Sequence, residues 1–243
     1  HGRSGYDQVL TGLRGTGKSV LLTEMRERAE KQGYVAIGMQ ATSEGLIESL
    51  GRSVALDPHQ GHRWRDLLDR FTAEVSFSLS GPRLDLGMEA QEKTTRDLPH
   101  DANAVAKFLS DLAETSDARG LLVTIDELQM ADPKDLRLLG GVLNQLNTAH
   151  SGSHVLFAGA GLPNLPRRMM GDPEHPVITN PERLFRFQQL PVTLPPPALE
   201  QALREPARSV GADWHPEAID AVHQASAGSP ALVQIYAAAA WSN

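Results

Sequence analysis

One stretch restricts what this chain can fold into more than any other. Gly12-Leu13-Arg14-Gly15-Thr16-Gly17-Lys18-Ser19 matches G-x-x-x-x-G-K-[ST] in full. Val9 and Leu10 end a short apolar run before it, and Val20, Leu21, Leu22, Met25 and Ala29 recur at helical spacing after it, up to Gly33. Strand, glycine-rich turn and helix therefore follow in the order this motif requires. Its glycines let the backbone turn tightly and bring successive N–H groups onto phosphate oxygens. The helix that follows points its positive end at the same phosphates. Lys18 reaches the β- and γ-phosphates as a compact charge, and the Ser19 hydroxyl suits Mg2+. The candidate nucleotide-binding residues are Gly12, Leu13, Arg14, Gly15, Thr16, Gly17, Lys18, Ser19 and Val20.

The rest of the chain alternates in the same way. Strands are predicted at 7–11, 34–39, 121–125 and 154–158, with a last one beginning at 184. Helices are predicted at 17–32, 43–56 and 62–78. Another follows Asp101 as its cap, with Val105, Phe108, Leu109 and Leu112 on one face. Asp132-Pro133 opens a further helix with an apolar stripe of Leu136, Leu139, Val142, Leu143 and Leu146. Gly140-Gly141 inside it weakens the helix by about 1 kcal/mol per glycine, which close backbone packing would explain. Leu121-Leu122-Val123-Thr124-Ile125 suits a strand buried on both faces. Residues 78–100 and 171–183 are polar and rich in turn formers, and read as loops. From Pro195 onward three helical segments follow, near 197–210, 216–227 and 230–241.

Bulk properties exclude several classes. Net charge is −7, which opposes a general nucleic-acid binder. There is no Cys, so disulfides, thiol catalysis and Cys-ligated zinc are excluded. His59-x-x-His62 has helix-compatible metal spacing but sits beside Asp57-Pro58 and Gly61 with no third ligand in view. Gly159-Ala160-Gly161 is a truncated dinucleotide-binding motif, with Asn164 where the third glycine would fall. No apolar stretch is long enough to span a membrane. The chain opens on His1, almost directly on its first strand, and reads as a fragment or as joined segments of a longer protein.

Ile125-Asp126-Glu127 falls at the C-terminal end of the buried strand, where open α/β sheets bind ligands. Asp126 is the natural carboxylate partner of Mg2+ opposite Ser19. Glu127 is placed to polarise an attacking water. With these residues, the phosphate loop, the Leu-Leu-Val-Thr-Ile-Asp-Glu strand, the His-Val-Leu-Phe-Ala-Gly-Ala-Gly-Leu-Pro stretch and the terminal Gly-Ser-Pro-Ala-Leu-Val-Gln-Ile-Tyr segment occur together and in order. The chain resembles the AAA+/STAND group of P-loop ATPases, close to the archaeal-type and origin-recognition-like AAA ATPase domains. The resemblance implies that Lys18 and Ser19 are Walker A residues and Asp126 and Glu127 Walker B residues. It implies ATP or ADP with Mg2+, and a helical lid whose Gly228-Ser229-Pro230 brings Gly228 and Pro230 to the nucleotide. Gln40, at the end of the second strand, is the candidate partner that restrains Glu127. Arg183 is the candidate arginine finger, with Arg167, Arg168 and Arg186 as competitors. Two positions depart from the pattern. No Asn, Ser or Thr stands at the sensor 1 place around Ala158-Gly159, and no sensor 2 Arg opens the lid helix, so turnover is expected to be slow.

The expectation is thus an α/β protein: a parallel five-stranded P-loop core with helices on both faces over residues 1–190, then a helical lid over 191–243. Its expected function is a cytoplasmic, Mg-dependent ATPase switch that couples nucleotide state to lid movement and to contacts with another subunit or domain. The rivals are a DNA-associated ATPase of the origin-recognition or transposition-helper kind, a nucleotide-binding scaffold with little turnover, and, more weakly, a small-molecule kinase. DNA contact is expected only through a region outside these residues.

Overall fold

The computed structural model describes residues 7–42, 45–57, 60, 63–71, 98–152, 154–172 and 174–241. Strand β1 (Asp7–Thr11) leads into helix α1 (Lys18–Lys31) and strand β2 (Val35–Gln40). Helix α2 (Leu46–Ala55) and a helix α3 over residues 63–71 follow. Helix α4 (Leu98–Thr115) then enters β3 (Leu121–Asp126), α5 (Pro133–Thr148) and β4 (Val155–Gly161). A short helix α6 (Leu165–Met170), a two-residue ribbon of β5 (Gly171–Asp172) and β6 (His175–Pro176), and β7 (Phe185–Gln189) complete the sheet region.

The main sheet has five strands in the order β2-β3-β4-β1-β7, and all four pairings are parallel. The chain leaves β1 for the far edge at β2, returns through β3 and β4, and then passes β1 to reach β7. The exits of β1 and β3 therefore open on the same end of the sheet, separated by β4, which is where a ligand crevice forms. Strand β3 is buried at every position, as a strand covered on both faces must be.

Strand alternation sorts the core into two layers. Val9, Val123, Ile125 and Phe157 face one side, where α2 to α5 supply Leu50, Trp64, Leu109 and Leu143. Leu10, Leu122, Ala158 and Ala160 face the other, where α1 supplies Leu22. The stacked rings of Phe71 and Phe108, 4.2 Å apart, join α3 to α4.

Several local expectations hold. The Asp132 carboxylate accepts from the N–H groups of Lys134 (2.7 Å) and Asp135 (2.9 Å) and caps α5. The glycine pair in α5 marks close packing: a Cβ on Gly141 would lie 2.9 Å from the Ala102 Cβ, and one on Gly140 would lie 3.2 Å from Ile178. Other expectations need correction. Helix α4 starts at Leu98, three residues before Asp101, because Pro99 fits the first turn of a helix, where no N–H partner is needed. The end of the segment read as a 78–100 loop is therefore helical, and residues 78–97 lie outside the described ones, as do His59 and His62. The segment 171–183, read as a loop, holds the β5–β6 ribbon and a 3-10 turn at Pro181–Arg183. Helix α6 had no periodic signal, since six residues give too few turns to show one.

Beyond β7, helices α7 (Pro196–Ser209), α8 (Pro216–Ser226) and α9 (Pro230–Trp241) each open on a proline. They enclose their own small core of Leu199, Leu203, Ile219, Val222 and Val233. Trp241 packs its ring against Trp214, 5.9 Å between centroids. No described helix is long and apolar enough to cross a membrane.

Candidate nucleotide site

Between β1 and α1 the backbone turns through Gly15 (φ 81°) and Gly17 (φ 84°), two left-handed positions that favour glycine. Gly12 has a different reason to lack a side chain. A Cβ there would meet the Thr16 hydroxyl at 2.6 Å, and that hydroxyl donates to the Leu13 carbonyl at 2.9 Å. The Gly12 N–H donates to Gly161 O at the exit of β4 (3.2 Å), which fixes the base of the loop to the sheet. Gly17 caps α1 without a side-chain bond, so the first N–H groups of the helix are left for a ligand.

Lys18 is buried, and its ammonium donates to Gly12 O (3.1 Å) and Leu13 O (2.9 Å), so it lies folded across the loop. Arg14, Gly15, Gly17, Lys18, Ser19 and Val20 line a cavity of about 490 Å³. Its other wall is Glu127 from the sheet and Pro230, Ala231 and Gln234 from the first turns of α9. Lid and loop meet closely: a Cβ on Gly15 would lie 2.9 Å from the Ala231 Cβ. Gly228 is not in that wall. It takes a left-handed turn (φ 76°) against the Leu194 backbone, with Leu194 N–H donating to Gly228 O at 2.8 Å. It turns the chain just before α9, and Pro230 is the residue of this segment that lines the cavity. Ala231 and Gln234 were invisible as site residues in the sequence, because nothing local marks which face of a lid helix meets a loop more than two hundred residues away.

Ser19 also borders a second cavity of about 440 Å³, together with Asp126, Thr23, Arg26, Gln40 and Arg52. Asp126 is buried and accepts the N–H of Glu127 at 2.8 Å. One hydroxyl and one carboxylate on a shared polar cavity fit Mg2+, which takes few protein ligands and completes its shell with phosphate oxygens and water. Gln40 lines this cavity and not the one that Glu127 lines. The side chain in contact with Glu127 is instead Gln129, whose amide N–H donates to the Glu127 carboxylate. Arg26 is a further residue that the sequence did not point out. It donates to Thr124 Oγ1 at 2.8 Å and Thr23 Oγ1 at 3.0 Å, across Gly38, where a Cβ would lie 2.5 Å from its guanidinium. Its charge thus lies on the face of β3 that carries Asp126.

The arginine candidates separate clearly. Arg168 donates to Gln129 O (2.5 Å) and Ala131 O (3.1 Å), and so braces the turn after β3. Arg183 is exposed at the entrance of β7, and β7 runs parallel to β1 with Phe185 opposite Asp7. Arg183 therefore sits at the end of the sheet away from its own phosphate loop. Arg167 and Arg186 are exposed as well.

The family profile described as the AAA ATPase domain matches residues 2–157. This chain belongs to that family. Solved structures agree with this AAA ATPase fold. The Walker-type ATPase PABY2304 of Pyrococcus abyssi is 18% identical at a TM-score of 0.56, over 95% of this chain and 61% of its own. The replication initiator DnaA bound to AMPPCP and single-stranded DNA is 14% identical at a TM-score of 0.50, over 97% and 55%. This AAA ATPase chain thus spans 55–61% of the length of these structures. No curated protein sequence matches it.

Proposed function

We propose that this AAA ATPase domain binds ATP with Mg2+ between the phosphate loop and helix α9, hydrolyses it slowly, and uses the nucleotide state to set the position of the lid. The observation that carries this reading is the 490 Å³ cavity lined by Lys18, Ser19 and Glu127 of the core and by Pro230, Ala231 and Gln234 of α9. A nucleotide there touches both units at once, so its presence and charge bias their relative position. Residues 1–190 act as the core and 191–243 as the lid.

The chemistry follows from the placement. Backbone N–H groups of the loop and the Lys18 ammonium hold the β- and γ-phosphates, and Lys18 exchanges its two carbonyl acceptors for phosphate oxygens. Ser19 and Asp126 hold Mg2+, which when bound offsets charge developing on the phosphates. Glu127 orients a water and takes its proton as the water oxygen bonds to the γ-phosphorus. The bond to the bridging oxygen breaks, leaving ADP and phosphate. Arg183, turned away from its own loop, acts only across a contact with a second copy.

Turnover measured against protein concentration tests this reading. Lys18→Ala should lose ATP binding. Glu127→Gln should keep binding and lose about 10²-fold or more in rate, the scale of a missing general base. A rate per subunit that rises with concentration and falls to the dilute value in Arg183→Ala supports assembly. ATP binding that depends on Lys18 with no phosphate release at any concentration supports the scaffold reading instead. The DnaA structure bound to single-stranded DNA motivates a DNA-associated reading of this chain, which the net charge of −7 opposes. Steeply salt-dependent DNA binding would favour it.

A further inference from the structure

Glu127 is held from two directions. Its backbone is left-handed (φ 54°, ψ 36°), and its N–H is fixed on Asp126 Oδ1 at 2.8 Å. Its carboxylate receives the amide N–H of Gln129. Gln129 is 6% exposed, and the other end of the same amide, Oε1, accepts the Leu162 N–H at 3.1 Å. Both ends of the amide are thus in use, and they fix its orientation. Turning it over would set two donors against each other at Leu162 and two acceptors against each other at Glu127. The Gln129 backbone is pinned as well, its carbonyl accepting from Arg168. Space for the side chain is kept by Gly161, where a Cβ would lie 3.1 Å from Gln129 Oε1 and 2.6 Å from Leu165 Cδ2.

We propose that Gln129 is the positioning residue of Glu127 and that it ties the carboxylate to the turn after β4. That strand ends Ala158-Gly159-Ala160-Gly161 with no polar side chain of its own. The polar group at this place comes instead from β3's own exit, through Gln129, and it bonds a backbone N–H of the turn after β4. A shift of Leu162 on nucleotide binding moves the amide and with it Glu127. This inference rests on reading Glu127 as the base.

The test replaces Gln129 with methionine, of similar length and unable to make either bond, alone and together with Glu127→Gln. Gln129→Met should lower kcat about tenfold to a hundredfold with ATP affinity within twofold, since a displaced base costs that much without touching the phosphate contacts. In the Glu127→Gln background the same replacement should change the rate no further. Independently of turnover, amide exchange at Leu162 in the nucleotide-free protein should quicken once its acceptor is gone. Gln129→Glu, which keeps the shape, is the second variant. It should slow turnover at neutral pH by setting a second carboxylate beside the first. Full turnover in both variants overturns the proposal alone. Loss of ATP affinity in parallel with kcat also overturns it, as a merely structural role would. Wild-type rates in Glu127→Gln, or no turnover in the wild type, overturn the base reading and the proposal with it.

Discussion

Replacing Glu127 with glycine and, separately, with alanine should separate backbone strain from side-chain chemistry. Both variants remove the carboxylate and its bond to Gln129, so the difference between them is a backbone difference. Glu127 sits at φ 54°, ψ 36°, where an L-residue is disfavoured by about 1–2 kcal/mol. Glycine escapes that cost but gains freedom in the unfolded chain, worth about 0.4–1 kcal/mol against it. The net is a preference of about 1 kcal/mol for glycine over alanine, opposite in sign to the preference of about 1 kcal/mol for alanine inside a helix. In a chain of 243 residues that difference separates the two melting midpoints by about 2–4 °C. Denaturant and thermal unfolding without nucleotide measure it. Ala227, also left-handed at φ 47° and with no function assigned to its methyl group, supplies a control, and Ala227→Gly should stabilise by a similar amount. Both Glu127 variants should lose turnover, so the glycine variant would be the more stable of two inactive proteins, which is what strain held for function predicts. If alanine at 127 matches or exceeds glycine while Ala227→Gly stabilises, the turn after β3 is not left-handed in solution and the argument fails.

Other perturbations test the framework around the site. Asp132→Ala should destabilise by about 1 kcal/mol through loss of the α5 cap, whereas Asp132→Asn should stay close to wild type in the same unfolding assay. Gly141→Leu should lower stability by about 1–3 kcal/mol or more, because its first side-chain carbon already falls 2.9 Å from Ala102. Burial raises the pKa of Asp135, with Asp132 and Glu48 adding to the shift and the Leu46 N–H opposing it. A carboxylate whose folded pKa is raised contributes stability at low pH that is lost as pH rises through that pKa. Asp135→Asn should therefore be more stable than wild type at neutral pH, with the gap closing below the ordinary carboxylate range. A gap that does not change with pH would refute the assignment.

The sequence determined by itself whatever depends on neighbours along the chain. The phosphate loop, the Asp132 cap, the fully buried β3 and the three proline-led lid helices are set by residues within a turn or two of one another, and each was legible. So was the close contact implied by Gly140-Gly141, although not that Ala102 and Ile178 make it. The rest depends on contacts made in space. The strand order, which brings the exits of β1 and β3 to one end, follows from crossovers that no local period encodes. The partner of Glu127 was sought at Gln40, on the neighbouring strand. It is Gln129, because β2 directs Gln40 toward the Ser19 and Asp126 cavity, while the turn after β3 folds Gln129 back between Glu127 and Leu162. Arg168 appeared as a candidate finger by its charge and place in the chain, and packing turned it onto the carbonyls of Gln129 and Ala131. That contact depends on the short α6, which carries Arg168. Local propensity selects elements, whereas the identity of a hydrogen-bond partner is a matter of distance in space, and residues far apart in the chain acquire that distance only when the sheet and its covering helices close.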